Sequence, residues 1–327
     1  MKKVYLILTA VSLMISCQHD IVVDANYNVV LDKHNTYYAG EPVKFNISGD
    51  VDNLVFYSGE QGKCYEFRNR YEISVDQVTN ADLTIKYTPR YGQTGGLKLY
   101  VSTSFDGLSG KDEKADSLKV LDVVASDMEG WKEIPFVEET TSDKSALITF
   151  SLKEYIDNMT LAFHWNPTPT DDNKKQQRTY WISGEMEFSA IGVEPVKMTL
   201  TDLGPVAVML NGPQKSAYYD NKIAGNGVIK LKQNAGEIVM QGVGANDKFE
   251  SSLDGWVFTT PTSLNKVSND KGESIKNIQN DLHSYEYVYT KPGTYKVTFL
   301  GRNENYLSSS EMVKEYIITI LPKPEEN

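Results

Sequence analysis

Aromatic side chains beside planar polar ones form the most informative pattern in this sequence. An aromatic ring can stack on the apolar C–H face of a pyranose, while amide, carboxylate or guanidinium groups hydrogen-bond the sugar hydroxyls. Trp and Tyr suit this role because they combine apolar area, a polar atom and few rotatable bonds. Seven residues make up the predicted sugar-binding set: Trp165, Asn166, Arg178, Tyr180, Trp181, Tyr218 and Tyr219.

Each aromatic candidate also has a structural alternative. Trp181 belongs to an alternating strand, where core packing is the more frequent role, and Trp165 ends a strand and fits either role. Tyr218 and Tyr219 lie among Lys, Asn and Gly residues typical of an exposed loop, which favours a surface role. Exposed aromatics could equally mark a protein interface.

Motifs for catalysis are absent from the sequence. There is no His-Glu-x-x-His, Gly-x-Ser-x-Gly, P-loop or Gly-x-Gly-x-x-Gly pattern. The four histidines are widely separated and show no zinc-ligand spacing. We therefore expect no enzymatic activity and no catalytic residues. The sequence does not exclude a glycosidase site with two opposed carboxylates, because it does not show the distance between any two acidic side chains.

Two acidic clusters could offer oxygen ligands to Ca²⁺. One comprises Asp50, Asp52 and Asn53, and the other spans residues 171–173. Solvated turn residues are the alternative, and the sequence favours it. We therefore expect no cofactor and no metal ligand. A single structural calcium ion is the one alternative that remains compatible with the sequence.

The N-terminus has the pattern of a secretory signal. Two lysines precede an apolar run over residues 4–15, which is shorter than the roughly 20 residues of a membrane-spanning helix. The run ends at Ser16-Cys17, which resembles a lipobox and implies acylation of Cys17. An ordinary cleaved signal is the alternative. Lipidation would leave Cys64 alone, so no intrachain disulfide is expected.

Composition excludes one class of partner. The 327 residues carry a formal net charge of −11 and contain no block of basic residues. Binding to nucleic acid requires clustered Lys and Arg, so nucleic acid is not expected as a partner, and the lipid anchor is the only expected membrane contact.

Alternation of apolar and polar residues predicts an all-β fold. Residues 43–47, 83–87 and 97–101 each alternate with a period of two, and helical signal is scarce. Residues 285–289 and 295–299 are predicted to form a hairpin around a type II turn at Lys291-Pro292-Gly293-Thr294. Closely spaced strands favour antiparallel multi-domain β-sandwiches.

Three regions resemble known modules. Residues 22–96, with Tyr38-Ala39-Gly40-Glu41-Pro42, and residues 253–321, with Pro292-Gly293-Thr294-Tyr295, resemble immunoglobulin-like PKD modules. Residues 97–250 resemble a jelly roll of the galactose-binding or carbohydrate-binding-module type. The predicted remainder is a signal peptide (1–16), a tether (17–25) and a polar tail (322–327).

This arrangement resembles Bacteroidetes lipoproteins of the glycan-utilisation type. The resemblance implies a non-catalytic, lipid-anchored protein of the outer membrane and cell surface that binds a polysaccharide or oligosaccharide, with an outer-membrane glycan transporter complex as a further partner. A structural or adhesion lipoprotein that contacts protein is the alternative, and a carbohydrate-active enzyme is a distant third.

Overall fold

The computed structural model describes residues 22–33, 35–90, 96–139, 141, 143–167, 179–212, 229–241 and 253–324. Strands dominate these residues, and the prediction of an all-β, multi-domain sandwich is confirmed. No helix in the described ranges is both long enough and apolar enough to cross a membrane.

The strands are, in chain order, β1 (Asn26–Leu31), β2 (Thr36–Tyr38), β3 (Pro42–Asp50), β4 (Asn53–Tyr57), β5 (Val78–Arg90), β6 (Leu97–Ser102), β7 (Trp131–Glu133), β8 (Ala146–Ser151), β9 (Thr160–Trp165), β10 (Thr179–Ala190), β11 (Val196–Thr199), β12 (Val206–Asn211), β13 (Ile229–Lys232), β14 (Glu237–Met240), β15 (Asp254–Phe258), β16 (Glu273–Lys276), β17 (Ser284–Val288), β18 (Gly293–Glu304) and β19 (Ser309–Leu321). The α-helix α1 (Glu113–Ala125) lies between β6 and β7.

The chain divides into two compact units. The split unit combines residues 22–70 with residues 268–324, and the inserted unit comprises residues 71–267. The inserted unit therefore interrupts the split unit in the connection between β4 and β16.

The split unit is an immunoglobulin-type sandwich. Its three-stranded sheet has the order β1-β3-β17, and its five-stranded sheet has the order β16-β4-β18-β19-β2. Strand β2 runs parallel to β19, and the other neighbours are antiparallel. The rings of Phe45, Phe56 and Phe299 pack with centroids 5.1–5.7 Å apart and form the centre of its core.

This arrangement corrects the predicted domain bounds. Residues 22–96 and 253–321 were predicted as separate modules, yet β3 pairs with β17, and β4 pairs with β16 and β18. Strand β5, inside the predicted first module, belongs to the inserted unit. Alternation identifies a strand and its buried face, but it does not identify a partner strand that lies more than 200 residues away in the chain.

The predicted C-terminal hairpin is also wrong. Strand β17 lies in the three-stranded sheet and β18 in the five-stranded sheet, so the chain reverses between two packed sheets. Gly293 is the first residue of β18, paired with Ile320, and has no positive φ. The Tyr295 hydroxyl donates to the Lys291 carbonyl at 2.8 Å, which is the tyrosine corner of immunoglobulin-type folds. The same residues therefore signal an inter-sheet corner rather than a hairpin.

The inserted unit is a second sandwich. One sheet has the order β13-β14-β10-β5-β8 with β11 paired to β10, and the other has the order β12-β15-β9-β6-β7. Helix α1 covers part of the outer face of the second sheet, where its Val120 is fully buried with Phe105 and Phe258. Asp112 caps this helix by accepting from the backbone N–H of Ala115 at 3.0 Å.

The two ends of the inserted unit lie side by side. Glu72 and Lys266 form an antiparallel bridge. The backbone N–H of Ile73 donates to the Asn265 carbonyl at 2.8 Å, and that of Val267 donates to the Tyr71 carbonyl at 3.1 Å. Adjacent antiparallel residues have Cα atoms about 5 Å apart, so the inserted unit enters and leaves through neighbouring positions.

Candidate functional site

Two of the predicted sugar-binding aromatics lie in the core of the inserted unit. Trp165 and Tyr180 are both 0% exposed, and the Tyr180 hydroxyl donates to the Glu138 carboxylate. Side chains alternate between the two faces of a strand, and both positions point between the sheets. A ring without exposed surface cannot stack on a sugar, so the prediction of a surface role for these two residues is corrected.

The remaining predicted residues have different placements. Asn166 follows β9 and is partly exposed, and its backbone N–H donates to the Gly96 carbonyl at 2.6 Å. Arg178, Tyr218, Tyr219 and the predicted lipidation site Cys17 lie outside the described residues.

Trp181 lies on the outer face of the six-stranded sheet and is partly exposed. The guanidinium carbon of Arg90 is 4.4 Å from its ring centroid, and Nζ of Lys232 is 3.9 Å from it. Such contacts contribute about 0.5–1 kcal/mol each at exposed positions. The indole and the two cations are therefore held together as one cluster.

Cross-strand pairing places polar side chains in rows around this indole. Trp181 pairs with Thr88 on one side and Val239 on the other, and Val239 pairs with Lys230. Positions two residues further along share this face. We call this surface the Trp181 face, and its members are Thr84, Lys86, Thr88, Arg90, Trp181, Ser183, Glu185, Thr199, Lys230, Lys232, Glu237 and Val239.

A shallow cavity of about 280 Å³ continues the Trp181 face beyond Ser183. Hydroxyl groups from three Thr and Ser residues, one ammonium and one carboxylate surround it. Its lining residues are Thr84, Lys86, Ser183, Gly184, Glu185, Thr199, Ala235 and Gly236. Convergent donors and acceptors beside a partly exposed ring are the groups that recognition of a sugar requires.

Ion pairs divide the Trp181 face into two ends. At the end near the indole, Lys232 lies 3.4 Å from Glu237, and Arg90 lies 3.4 Å from Asp143. At the other end, Lys197 lies 3.1 Å from Glu185 and 3.5 Å from Glu187. The hydrogen bond that Lys197 donates to Glu185 raises the pKa of Lys197 above its usual value. The acidic end is thus compensated by a lysine of β11.

A second cavity, of about 480 Å³, lies in the split unit. Val55, Tyr57 and Leu300 contribute apolar surface to it. Its polar walls are largely paired with each other, since Arg302 bonds Glu311 and Asn269 donates to the Arg68 carbonyl at 2.7 Å. Tyr57 is 7% exposed, so this cavity offers no open aromatic surface.

Two other reactive groups, His164 and Cys64, lie among the described residues. His164 lies 3.0 Å from Asp254 and stacks on Trp256 with ring centroids 3.8 Å apart. Burial raises the pKa of the Cys64 thiol to about 11, so this thiol is a poor nucleophile.

The described residues contain no group of three or more His, Cys, Asp or Glu that could hold a metal ion. Asp50, Asp52 and Asn53 lie where β3 turns into β4, and the Asp52 backbone N–H donates to the Asn303 side chain at 2.7 Å. The second predicted calcium cluster, residues 171–173, lies outside the described residues.

Fold and surface together define a two-unit all-β protein with a polar, tryptophan-centred sheet face. The chain belongs to the family DUF5017, described as a domain of unknown function, whose pattern matches residues 16–200. The matched range begins in the chain before the split unit's strands and ends inside the inserted unit, so the family pattern includes parts of both units. No curated protein matches the chain.

Proposed function

We propose that the protein is a non-catalytic, lipid-anchored protein of the cell surface that binds a polysaccharide or oligosaccharide through the Trp181 face. The observation that carries this proposal is the partly exposed indole of Trp181 within rows of hydroxyl, carboxylate and ammonium groups. Capture of the glycan for uptake by an outer-membrane transporter complex is part of the same proposal.

The position of the Trp181 face on a sheet supports a binding role. Strand β10 is hydrogen-bonded to β5 along twelve residues and to β14 along four. Side chains on such a scaffold keep their spacing when a ligand arrives, so little conformational entropy is lost on binding.

The surface location rests on the N-terminal residues. A basic start, an apolar run over residues 4–15 and Ser16-Cys17 form the pattern of an acylated secretory signal. Palmitate labelling of cells that express the protein tests this part. Label in the wild type and none in Cys17→Ala is the expected result, and equal label in both would contradict the anchor.

Affinity electrophoresis tests the binding. The chain from Val22 onward, which keeps all strands of the described residues, is run through gels that contain plant or host polysaccharides. We expect one class of glycan to retard the protein and Trp181→Ala to remove the retardation. Tyr306→Ala is the control, because Tyr306 is an 88% exposed aromatic in the connection between β18 and β19. Equal retardation of wild type and Trp181→Ala would refute the site.

A specific observation favours a second candidate, a structural or adhesion lipoprotein that contacts protein. Helix α1 exposes Leu118, Leu121 and Val124, at 53%, 47% and 42%. Exposed apolar side chains close together are typical of protein interfaces. If no glycan retards the folded protein while Leu118→Lys/Leu121→Lys abolishes attachment of expressing cells to other cells, this second function replaces the first.

A further inference from the structure

We infer that the ligand of the Trp181 face is an anionic glycan, with carboxylate or sulfate groups on its sugars. This inference rests on the proposed glycan-binding function and specifies the chemical class of the ligand. Three observations carry it: the local charge, the state of the indole ring, and the spacing of the cations across the sheet.

The charge near Trp181 is opposite to that of the whole chain. The full sequence has a net charge of −11, yet the surface around the indole carries four cations and, with the adjacent Asp143, two carboxylates. Glu185, which lines the same cavity as Lys86, is paired with Lys197. The cations are Lys86, Arg90, Lys230 and Lys232, and the carboxylates are Glu237 and Asp143.

Two of these cations have no carboxylate partner among the described residues. Lys86 is exposed, lines the shallow cavity and has no ion pair within the described part of the chain. Lys230 donates to the neutral Gln241 side chain at 2.7 Å. An incoming carboxylate or sulfate would therefore meet cations whose charge is not already neutralised, which is the arrangement that attracts anions.

The indole ring is already occupied by positive groups. Arg90 comes from β5 and Lys232 from β13, and these strands lie on opposite sides of β10. A neutral pyranose that stacked on the ring would displace a cation–π contact and would offer no charge in exchange. An anionic sugar can instead bind beside the ring to Lys86 and Lys230, while the ring keeps Arg90 and Lys232 in place. The guanidinium of Arg90 still has donors that can approach a carboxylate or sulfate through parallel hydrogen bonds.

The spacing of the cations fits a polymer better than a single small anion. Lys230 and Lys86 lie on strands three places apart in the sheet. Neighbouring strands are about 4.8 Å apart, so the two lysines are separated by roughly 14 Å across the strands. Anionic groups on successive sugars of one chain can contact both lysines, whereas one carboxylate cannot.

Matched polysaccharides that differ only in charge test the inference. Binding of the chain from Val22 onward is measured by calorimetry against polygalacturonic acid and its methyl ester, and against chondroitin sulfate and its desulfated form. We expect at least tenfold tighter binding of the charged member in one pair, and weakening between 50 and 500 mM NaCl. The pair that shows the difference tells carboxylate from sulfate.

Substitutions test which lysines cause the preference for the charged glycan. Lys86→Gln/Lys230→Gln should weaken binding of the charged glycan about tenfold, since two surface charge contacts are lost. The matched control is Lys98→Gln/Lys132→Gln, which removes two exposed lysines from the other sheet of the inserted unit and should leave the affinity unchanged. Equal weakening by both variants would overturn the assignment.

Two further outcomes separate the inference from the function on which it rests. Equal, salt-independent binding of charged and neutral members that Trp181→Ala abolishes would refute the anionic ligand and support glycan binding. No binding of any polysaccharide by the folded protein would refute both.

Discussion

Because residues 71–267 interrupt the split unit, we expect the free energy of unfolding of the split unit to depend on whether the inserted unit is folded. The stability of the inserted unit should not depend on the split unit in the same way. While the inserted unit is folded, its ends are held side by side by the bridge between Glu72 and Lys266. The two chain segments of the split unit are then joined through a short distance. If the inserted unit unfolds, the same closure spans a flexible loop of 197 residues, from Tyr71 to Val267.

The size of this effect follows from the entropy of loop closure. The cost grows as (3/2)RT ln n, so an increase from about 4 to about 200 residues destabilises the split unit by about 3.5 kcal/mol. Two variants test the value. One replaces residues 71–267 with a four-residue turn. The other is Trp165→Ala/Tyr180→Ala, which removes roughly 6–10 kcal/mol of core packing and unfolds the inserted unit.

Separate probes report on the two units. All four tryptophans lie in the inserted unit, whereas Cys64 lies in the split unit and is the single cysteine from Val22 onward. Tryptophan fluorescence and pulsed thiol labelling in urea therefore measure the two unfolding transitions independently.

We expect the four-residue variant to match the wild-type stability of the split unit and the double variant to lose about 3.5 kcal/mol there. Failure of the four-residue variant to fold, or an unchanged split unit in the double variant, would refute the insertion.

Three further predictions concern single residues of the split unit. Burial raises the pKa of the Cys64 thiol to about 11, so little of the reactive thiolate is present at pH 8. Labelling of Cys64 at pH 8 should therefore be at least about 100-fold slower in the folded than in the unfolded protein. Equal labelling rates would contradict this prediction. Tyr295→Phe removes the hydrogen bond of the tyrosine corner and should lower the free energy of unfolding by about 1 kcal/mol. Tyr306→Phe is the control, because Tyr306 is exposed, and it should leave the free energy of unfolding unchanged. Equal urea midpoints of the two variants would count against the hydrogen bond of Tyr295. Gly301→Ala should destabilise by about 1–3 kcal/mol in the same assay, because the new Cβ would lie 2.3 Å from the Tyr27 ring. The Tyr27 hydroxyl holds that ring in place, since its hydrogen is shared between the Phe299 and Met312 carbonyls; a neutral effect would show that the ring can move.

Sequence patterns predicted the strands well and the helix poorly. The alternating runs at residues 43–47, 83–87 and 97–101 all lie in strands. Helix α1 was missed because Leu118, Leu121 and Val124 are exposed, so its apolar residues do not fall on one face. Its N-cap, Asp112, and the acidic residues of its first turn, Glu113 and Asp116, were local signals that could have indicated it.

The candidate site was predicted in part. Alternation along β10 implied that Tyr180 and Trp181 point to opposite faces, but it did not show which of the two is buried. Lys86, Arg90 and Lys232 were not identified, because they come from strands about 90 and 50 residues away from Trp181 in the chain. Only sheet pairing brings them to the indole.

The sequence by itself determined what is local, namely the strands and their apolar faces. It also placed a chain reversal at Pro292-Gly293-Thr294-Tyr295, but only the tertiary structure showed that this reversal joins two sheets. Tertiary structure alone decided which strands pair, and so made the first and last regions one sandwich with a second one inserted. The physical reason is that a period of two fixes which side of a strand is buried, whereas the partner strand is chosen by packing over the whole core.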